Sequence, residues 1–195
     1  MKLCVLMGSP RAQGNTAALT EEFLCQWEEL GEENRVISLY GRQIHPCLGC
    51  MACQECMDGL GCVQQDEFSG IFQEMSGADL ILLATPIYAW YCTTPMKALL
   101  DRAVYAANKN YGAAKGPRLL SGRCMASLAT CGYPPEKGAD LWEEGLKRMC
   151  RHSKMNYLGM FCCRDLGRNV PFMDEETRKG VRAFARTLHS ALEGT

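Results

Sequence analysis

Lys2-Leu3-Cys4-Val5-Leu6-Met7-Gly8-Ser9-Pro10-Arg11-Ala12-Gln13-Gly14-Asn15-Thr16 is the stretch whose reading sets the fold class. Lys2 to Met7 reads as a buried strand, because five apolar residues follow one lysine without polar alternation. Gly8 ends it. Asn15 to Leu30 then reads as a helix that turns Ala17, Leu19, Phe23 and Trp27 inward. A strand that leaves through a glycine-bounded loop into a helix opens a βα unit, and such units build parallel sheets.

The rhythm continues outward from that start. Arg35 to Leu39 reads as a second short strand, and Glu67 to Met75 as a short helix with Asp66 as its N-cap. Asp79 to Ala84 is apolar without alternation, the pattern of a strand buried on both faces. Pro95 to Ala107 is helical, Arg123 to Ala129 a strand, and Glu136 to His152 a helix. Asn156 to Cys162 is the last strand, and Asp174 to Leu192 closes the chain as a helix with Asp174, Glu175 and Glu176 in its first turn. Five strands alternating with five helices imply a doubly wound parallel sheet, helices on both faces, as a single domain over residues 1–195 without internal repeat. The break in the rhythm is a Cys-rich insertion at about residues 40–65, and loops of that length in a compact domain are usually functional.

Composition narrows the function. The 195 residues carry 21 Lys+Arg against 22 Asp+Glu, a net charge of −1, which argues against nucleic-acid binding through a general basic field. A 47% hydrophobic content supports a sizeable core rather than disorder. The apolar run before Gly8 is too short for a signal peptide, and no stretch approaches the roughly 20 apolar residues of a membrane helix. The expectation is a soluble, cytoplasmic protein with no membrane association.

Ligands of doubly wound sheets sit beyond the carboxyl ends of the strands, at the switch point of strand order. The turn after the first strand offers hydroxyls from Ser9 and Thr16, the charge of Arg11, glycines at 8 and 14 for close backbone approach, and a helix N-terminus: a site for one phosphate. It is neither G-x-G-x-x-G nor G-x-x-x-x-G-K-[ST]. The turn after the third strand, Thr85-Pro86-Ile87-Tyr88-Ala89-Trp90-Tyr91, brings Tyr88, Trp90 and Tyr91 to the same edge, where rings can stack on a planar heterocycle or serve as core or interface. Lys97, Asp101 and Arg102 read as structural, the first two at the i,i+4 spacing of an ion pair. Thr130-Cys131-Gly132-Tyr133-Pro134-Pro135 ends the fourth strand and suits the far edge of such a ring, or a plain turn.

Thirteen cysteines divide in two. Eight are scattered through mostly apolar segments, where free Cys behaves as a small hydrophobe. Cys47, Cys50, Cys53, Cys56 and Cys62 crowd into 16 residues, the first four at strict three-residue spacing. Repeated C-x2-C aims several thiolates at one centre, as an iron–sulfur cluster or a zinc site requires; redox-active or structural thiols are the alternatives. His45 beside the run reads as a polar surface residue, and Met149, Met155 and Met160 as packing.

Gly-Ser-Pro-Arg-x-x-Gly-Asn-Thr at Gly8 to Thr16, followed by Thr-Pro-x-Tyr at Thr85 to Tyr88 and Lys-x-x-x-Asp-Arg at Lys97 to Arg102, resembles the NAD(P)H-dependent FMN reductases of flavodoxin-like fold. The resemblance runs the length of the chain and includes Pro-Pro-Glu-Lys-Gly at Pro134 to Gly138. It implies strand order 2-1-3-4-5 and non-covalent FMN. Ser9, Arg11, Gly14, Asn15 and Thr16 would wrap its phosphate, Pro86, Ile87, Tyr88, Ala89 and Trp90 would run along the isoalloxazine, and Thr130 and Gly132 would stand at its far edge. It implies hydride transfer from NAD(P)H to the flavin and delivery to a quinone, a flavin, an azo compound or another small electron acceptor. No protein acid or base is assigned. A homodimer or tetramer is also implied, helped by the apolar Trp90-Tyr91 pair.

The Cys run resembles the iron–sulfur flavoproteins, flavodoxin-like FMN proteins with a compact C-x2-C-x2-C-…-C segment. That resemblance implies Cys47, Cys50 and Cys53 as ligands of a [4Fe–4S] cluster. Cys62, in Gly61-Cys62-Val63, is the better match for the fourth ligand, although it stands farther from Cys53 than is usual and Cys56 stands nearer. The alternative function is then an electron carrier between cluster and FMN, with a redox partner protein; a third is a non-catalytic flavin-binding protein with an interface or zinc loop.

Overall fold

The structure is a computed structural model that describes residues 1–167 and 169–194; Arg168 and Thr195 lie outside the description. Five strands, β1 (Lys2–Met7), β2 (Glu33–Ser38), β3 (Leu80–Pro86), β4 (Cys124–Cys131) and β5 (Asn156–Arg164), form one sheet in the order β2-β1-β3-β4-β5. Every pairing is parallel. This is the doubly wound, flavodoxin-like sheet that the sequence predicts, with its switch point between β1 and β3.

Six helices cover the two faces: α1 (Asn15–Glu29), α2 (Phe68–Gly77), α3 (Thr94–Ala107), α4 (Pro135–Gly138), α5 (Asp140–Ser153) and α6 (Glu175–Glu193). Alternation within the strands divides the core. Cys4 and Leu6 of β1 with Ile81 and Leu83 of β3 pack under α2, α3 and α5. Leu3, Val5, Leu80, Leu82 and Ala84 pack under α1 and α6, against Phe23, Trp27, Val181 and Leu188. Ala17, Leu19, Phe23 and Trp27 all lie inward as predicted. The continuous apolar strands β3 and β4 are buried at every residue, because helices lie on both of their faces. Among the described residues no helix is long and apolar enough to cross a membrane.

Three local differences have physical causes. β2 begins at Glu33, because pairing of Glu33 and Asn34 with Lys2 and Leu3 extends a ladder whose side chains are too polar to announce a strand. The helix expected over Glu136 to His152 breaks at Ala139 (φ −125°, ψ 1°) into α4 and α5. There Gly138 lies so close to Cys131 and Tyr133 that a Cβ would stand 3.1 Å from each side chain. Asp66 does not cap α2 as its N-cap, which is Glu67; its carboxylate accepts the Phe68 N–H at 3.2 Å and is mainly engaged by Arg102.

Candidate functional site

The loops after β1, β3 and β4 meet at the carboxyl edge of the sheet, and hydrogen bonds join them. Thr16 and Thr130, both buried, share a bond between their hydroxyls at 2.8 Å, tying the start of α1 to the end of β4. Ile87 N–H donates to the Thr130 carbonyl at 2.8 Å, joining the second loop to the third. Thr93 Oγ1, just before α3, donates to the Gly8 carbonyl at 2.7 Å.

In the first loop the buried Ser9 hydroxyl accepts the Arg11 N–H at 3.2 Å, which curls the chain and leaves the Arg11 side chain exposed. Gly14 is the N-cap of α1 and supplies no side chain to the free N–H groups of the first turn. A Cβ at Gly14 would stand 2.9 Å from the Arg11 Cβ, so the loop closes this tightly only with glycine there. At Gly8 a Cβ would stand 3.0 Å from the Thr93 hydroxyl and 3.1 Å from Met96, so its lack of a side chain makes room for the start of α3. A cleft of about 440 Å³ lies against Ser9, Pro10, Arg11 and Ala12, with Thr20, Ser38 and Tyr40 opposite. Uncapped N–H groups, the Ser9 hydroxyl and the Arg11 guanidinium are donors of the kind a phosphate needs, so these residues fit the phosphate of FMN, while the Thr16 hydroxyl is engaged with Thr130.

The second loop is a tight turn. Tyr88 and Tyr91 exchange backbone hydrogen bonds at 2.8 and 3.0 Å, and the two residues between them, Ala89 and Trp90, have φ of 49° and 62°. Two successive non-glycine residues in the left-handed region store strain, a feature that gathers at ligand sites. The turn aims Tyr88 and Trp90 outward, both nearly half exposed. Trp90 stacks on Tyr133 of the third loop (centroids 5.9 Å, 15°) and donates its indole N–H to the Lys137 carbonyl at 3.1 Å. Tyr91 departs from the expected row of three rings. It turns inward, edge-on to Trp142 at 5.2 Å, with its hydroxyl where a Cβ on Gly145 would be. Pro86 is buried at the strand end, and Gly132 is exposed, its carbonyl accepting from Arg164.

The insertion after β2 packs against α3. Gly49 (φ 63°) and Met51 (φ 62°) turn the chain into a 3₁₀ turn at Ala52–Glu55. Gly61 (φ 68°) turns it back, so close to Cys56 that a side chain would collide with the Cys56 Cβ. Cys47, Cys50, Cys53 and Cys62 line one small pocket, floored by Arg102, Tyr105 and Ala106. Cys56 is not part of its wall; its sulfur lies 3.6 Å from Asp58 Oδ1. Among the described residues no three potential ligands stand at metal-binding spacing. The four thiols thus share a pocket without converging on one point. His45 is exposed, as expected.

Beneath this loop lie residues the sequence reading passed over or took as merely structural. The guanidinium of Arg102, buried with Asp66, meets its carboxylate at 2.5 Å, donates to the Cys62 sulfur at 3.3 Å and the His45 carbonyl at 3.3 Å, and lies 4.1 Å over the Phe68 ring. Burial alone would raise the Asp66 carboxyl, but Arg102 and the N–H groups of His45 and Phe68 outweigh it and hold it below the usual carboxylate range. Buried Gln54 donates to the carbonyls of Tyr105 and Asn108 and accepts the Tyr111 N–H. Buried Lys109 donates to the carbonyls of Cys53 and Leu60. No periodicity marks Asn108-Lys109-Asn110; the only signal was a lysine in a segment that follows an apolar helix. Lys97 and Asp101 form the predicted ion pair at 2.6 Å.

With these three loops and the Cys pocket in place, the comparison with known families is decisive. The family model for NADPH-dependent FMN reductase matches residues 1–162. The chain belongs to that family. An iron–sulfur flavoprotein of Methanocaldococcus jannaschii is 38% identical over 103 residues, covering 53% of this chain and 52% of the relative. One from Archaeoglobus fulgidus is 34% identical over 132 residues, covering 68% and 60%. The matches span about half to three fifths of these relatives' length. An FMN-dependent NADH-azoreductase from Bacillus anthracis in complex with FMN superimposes with a TM-score of 0.69 at 17% identity, covering 96% of this chain and 99% of that one, a likeness of fold.

Proposed function

We propose that this chain is an FMN-dependent oxidoreductase that draws reducing equivalents from NAD(P)H and passes them to a small acceptor such as a quinone or a flavin. The observation that carries this reading is the joining of three ligand-facing loops at the switch point through Thr16–Thr130 and Ile87–Thr130. Ser9, Arg11, Gly14, Asn15 and Thr16 hold the phosphate. Pro86 to Trp90 flank the ring with Tyr88 and Trp90 exposed, and Thr130 and Gly132 close its edge. Bound FMN supplies the electron-accepting ring, and the protein orients it. No side chain is assigned as acid or base. The reading makes the protein a single cytoplasmic domain, working as a homodimer or tetramer.

A second reading is favoured by the Cys pocket and by the names of the relatives. In it, Cys47, Cys50, Cys53 and Cys62 ligate a [4Fe–4S] cluster, and the chain relays electrons to a redox partner protein. Exclusion of Cys56 from the pocket wall supports Cys62 as the fourth ligand. Anaerobic purification with an absorption spectrum, iron and sulfide analysis, and NAD(P)H oxidation with a quinone separates the readings. Flavin with quinone-dependent turnover supports the first; flavin and cluster without turnover supports the second; absence of flavin defeats both. For the ligands, Cys62→Ser should lower iron and sulfide while Cys56→Ser leaves both intact, and the reverse would exchange them.

A further inference from the structure

Lys109 is fully buried, yet among the described residues no carboxylate lies within ion-pair distance of it. A charged amine in that position costs several kcal/mol unless something compensates. Two carbonyls take two of its three N–H donors: Cys53 at 2.8 Å and Leu60 at 3.0 Å. These carbonyls belong to the third cysteine of the run and to Leu60, two residues before Cys62. The backbone around Lys109 is held in turn, its N–H donating to the Pro117 carbonyl at 3.1 Å and its carbonyl accepting from Gly116 at 2.6 Å. A Cβ on Gly116 would stand 2.8 Å from the Lys109 Cβ, so the loop at Gly116 lies against the lysine stem.

We infer that Lys109 is a positioning residue for the cysteine centre: it clasps Cys53 to Leu60, so that Cys62 returns to the pocket, and it sets its ammonium beside the thiols of that pocket. This inference rests on the reading of Cys47, Cys50, Cys53 and Cys62 as ligands. Spacing from Cys53 to Cys62 is longer than the x2 steps before it, and the clasp shortens that span in space. The charge has a second effect. One-electron reduction would add a negative charge to a centre held by these four thiolates, and a cation nearby would favour the reduced form and raise its potential. Burial lowers the Lys109 amine from its ordinary value, and the Cys53, Cys56 and Cys62 thiols act against that and favour its charged form.

The test uses anaerobically reconstituted, FMN-loaded protein with Lys109→Met, Lys109→Gln and Lys109→Arg. Amide hydrogen exchange over residues 53–62, iron and sulfide content, and the one-electron midpoint potential of the centre are measured. Lys109→Met should speed exchange in 53–62 by about tenfold and lower the equilibrium constant for reduction by about tenfold, a shift of about 59 mV. Lys109→Gln should restore much of the protection but not the potential, and Lys109→Arg should restore the potential. If Met unfolds the chain, the Gln variant still separates charge from hydrogen bonding. Unchanged exchange and potential in Lys109→Met or Lys109→Gln would overturn the inference. Wild-type protein that takes up no iron defeats the ligand reading and the potential effect with it, whereas the exchange arm then still decides the clasp.

Discussion

Thr16 Oγ1 and Thr130 Oγ1 lie 2.8 Å apart in a site closed to water, although 114 residues separate them in the chain. One hydroxyl donates and the other accepts, so each satisfies a polar group that would otherwise be buried unpaired. The bond joins the loop after β1 to the loop after β4.

That relationship predicts a coupled energetic effect. Thr16→Val or Thr130→Val leaves the remaining hydroxyl buried without a partner, at a cost of about 1–3 kcal/mol each. The double variant should lose less than the sum, because no orphan remains. Urea unfolding of the four proteins measures it, and strictly additive losses would show that the bond contributes nothing.

Arg11 is exposed and, among the described residues, makes no ion pair, so its side chain is available to an anion. Arg11→Ala should weaken FMN by about 10- to 100-fold, the worth of one charge-assisted contact of about 1.5–3 kcal/mol. The melting temperature of the flavin-free protein should not move. Flavin fluorescence titration checks the affinity, and an unchanged value would remove Arg11 from the phosphate site.

Ala89 and Trp90 occupy consecutive left-handed positions at the turn that aims the rings. Ala89→Gly should relieve strain and stabilise the fold by about 1 kcal/mol, net of the extra freedom glycine brings to the unfolded chain. Trp90→Gly relieves the same kind of strain but removes the stack on Tyr133 and the bond to Lys137, and should be the less stable of the two. Thermal unfolding of the pair ranks them.

The Arg102–Asp66 pair should make the protein acid-sensitive. Asp66 has a folded carboxyl held below its ordinary value, against the opposing effect of burial, by Arg102 and two backbone N–H groups. Its contribution is therefore complete above about pH 4, the unfolded value, and is lost as pH falls from there through the folded value. Asp66→Asn keeps the acceptor for the N–H groups but leaves Arg102 buried without its counter-charge, and should cost about 3–5 kcal/mol at neutral pH. The variant should also lose Asp66's share of the acid-side slope of stability below about pH 4, while Glu22, Glu67 and Asp174, also held below their ordinary values, keep theirs, and denaturant midpoints at several pH values will show the difference.

Local pattern alone determined most of the architecture. Short unbroken apolar runs at Leu3–Met7 and Leu80–Ala84, the first ended by Gly8 and the second followed by Pro86, read as strands covered on both faces, and the helical spacing of Leu19, Phe23 and Trp27 leaves one inward side, so the βα alternation was legible in the sequence. The loop glycines and cysteines were legible for the same reason: Gly14 and the C-x2-C spacing act over a few residues. What the tertiary structure decided are contacts between distant segments. The inward turn of Tyr91 depends on the space above Gly145, and the break at Ala139 on the packing of Gly138 against Cys131. The roles of Arg102 and Lys109 depend on the insertion folding back over α3, 40 residues from Cys62 to Arg102 and 56 from Cys53 to Lys109. A buried cation has no periodicity of its own; its environment is made by whichever backbone carbonyls and thiols the fold brings around it, and these are set by packing rather than by neighbours in sequence.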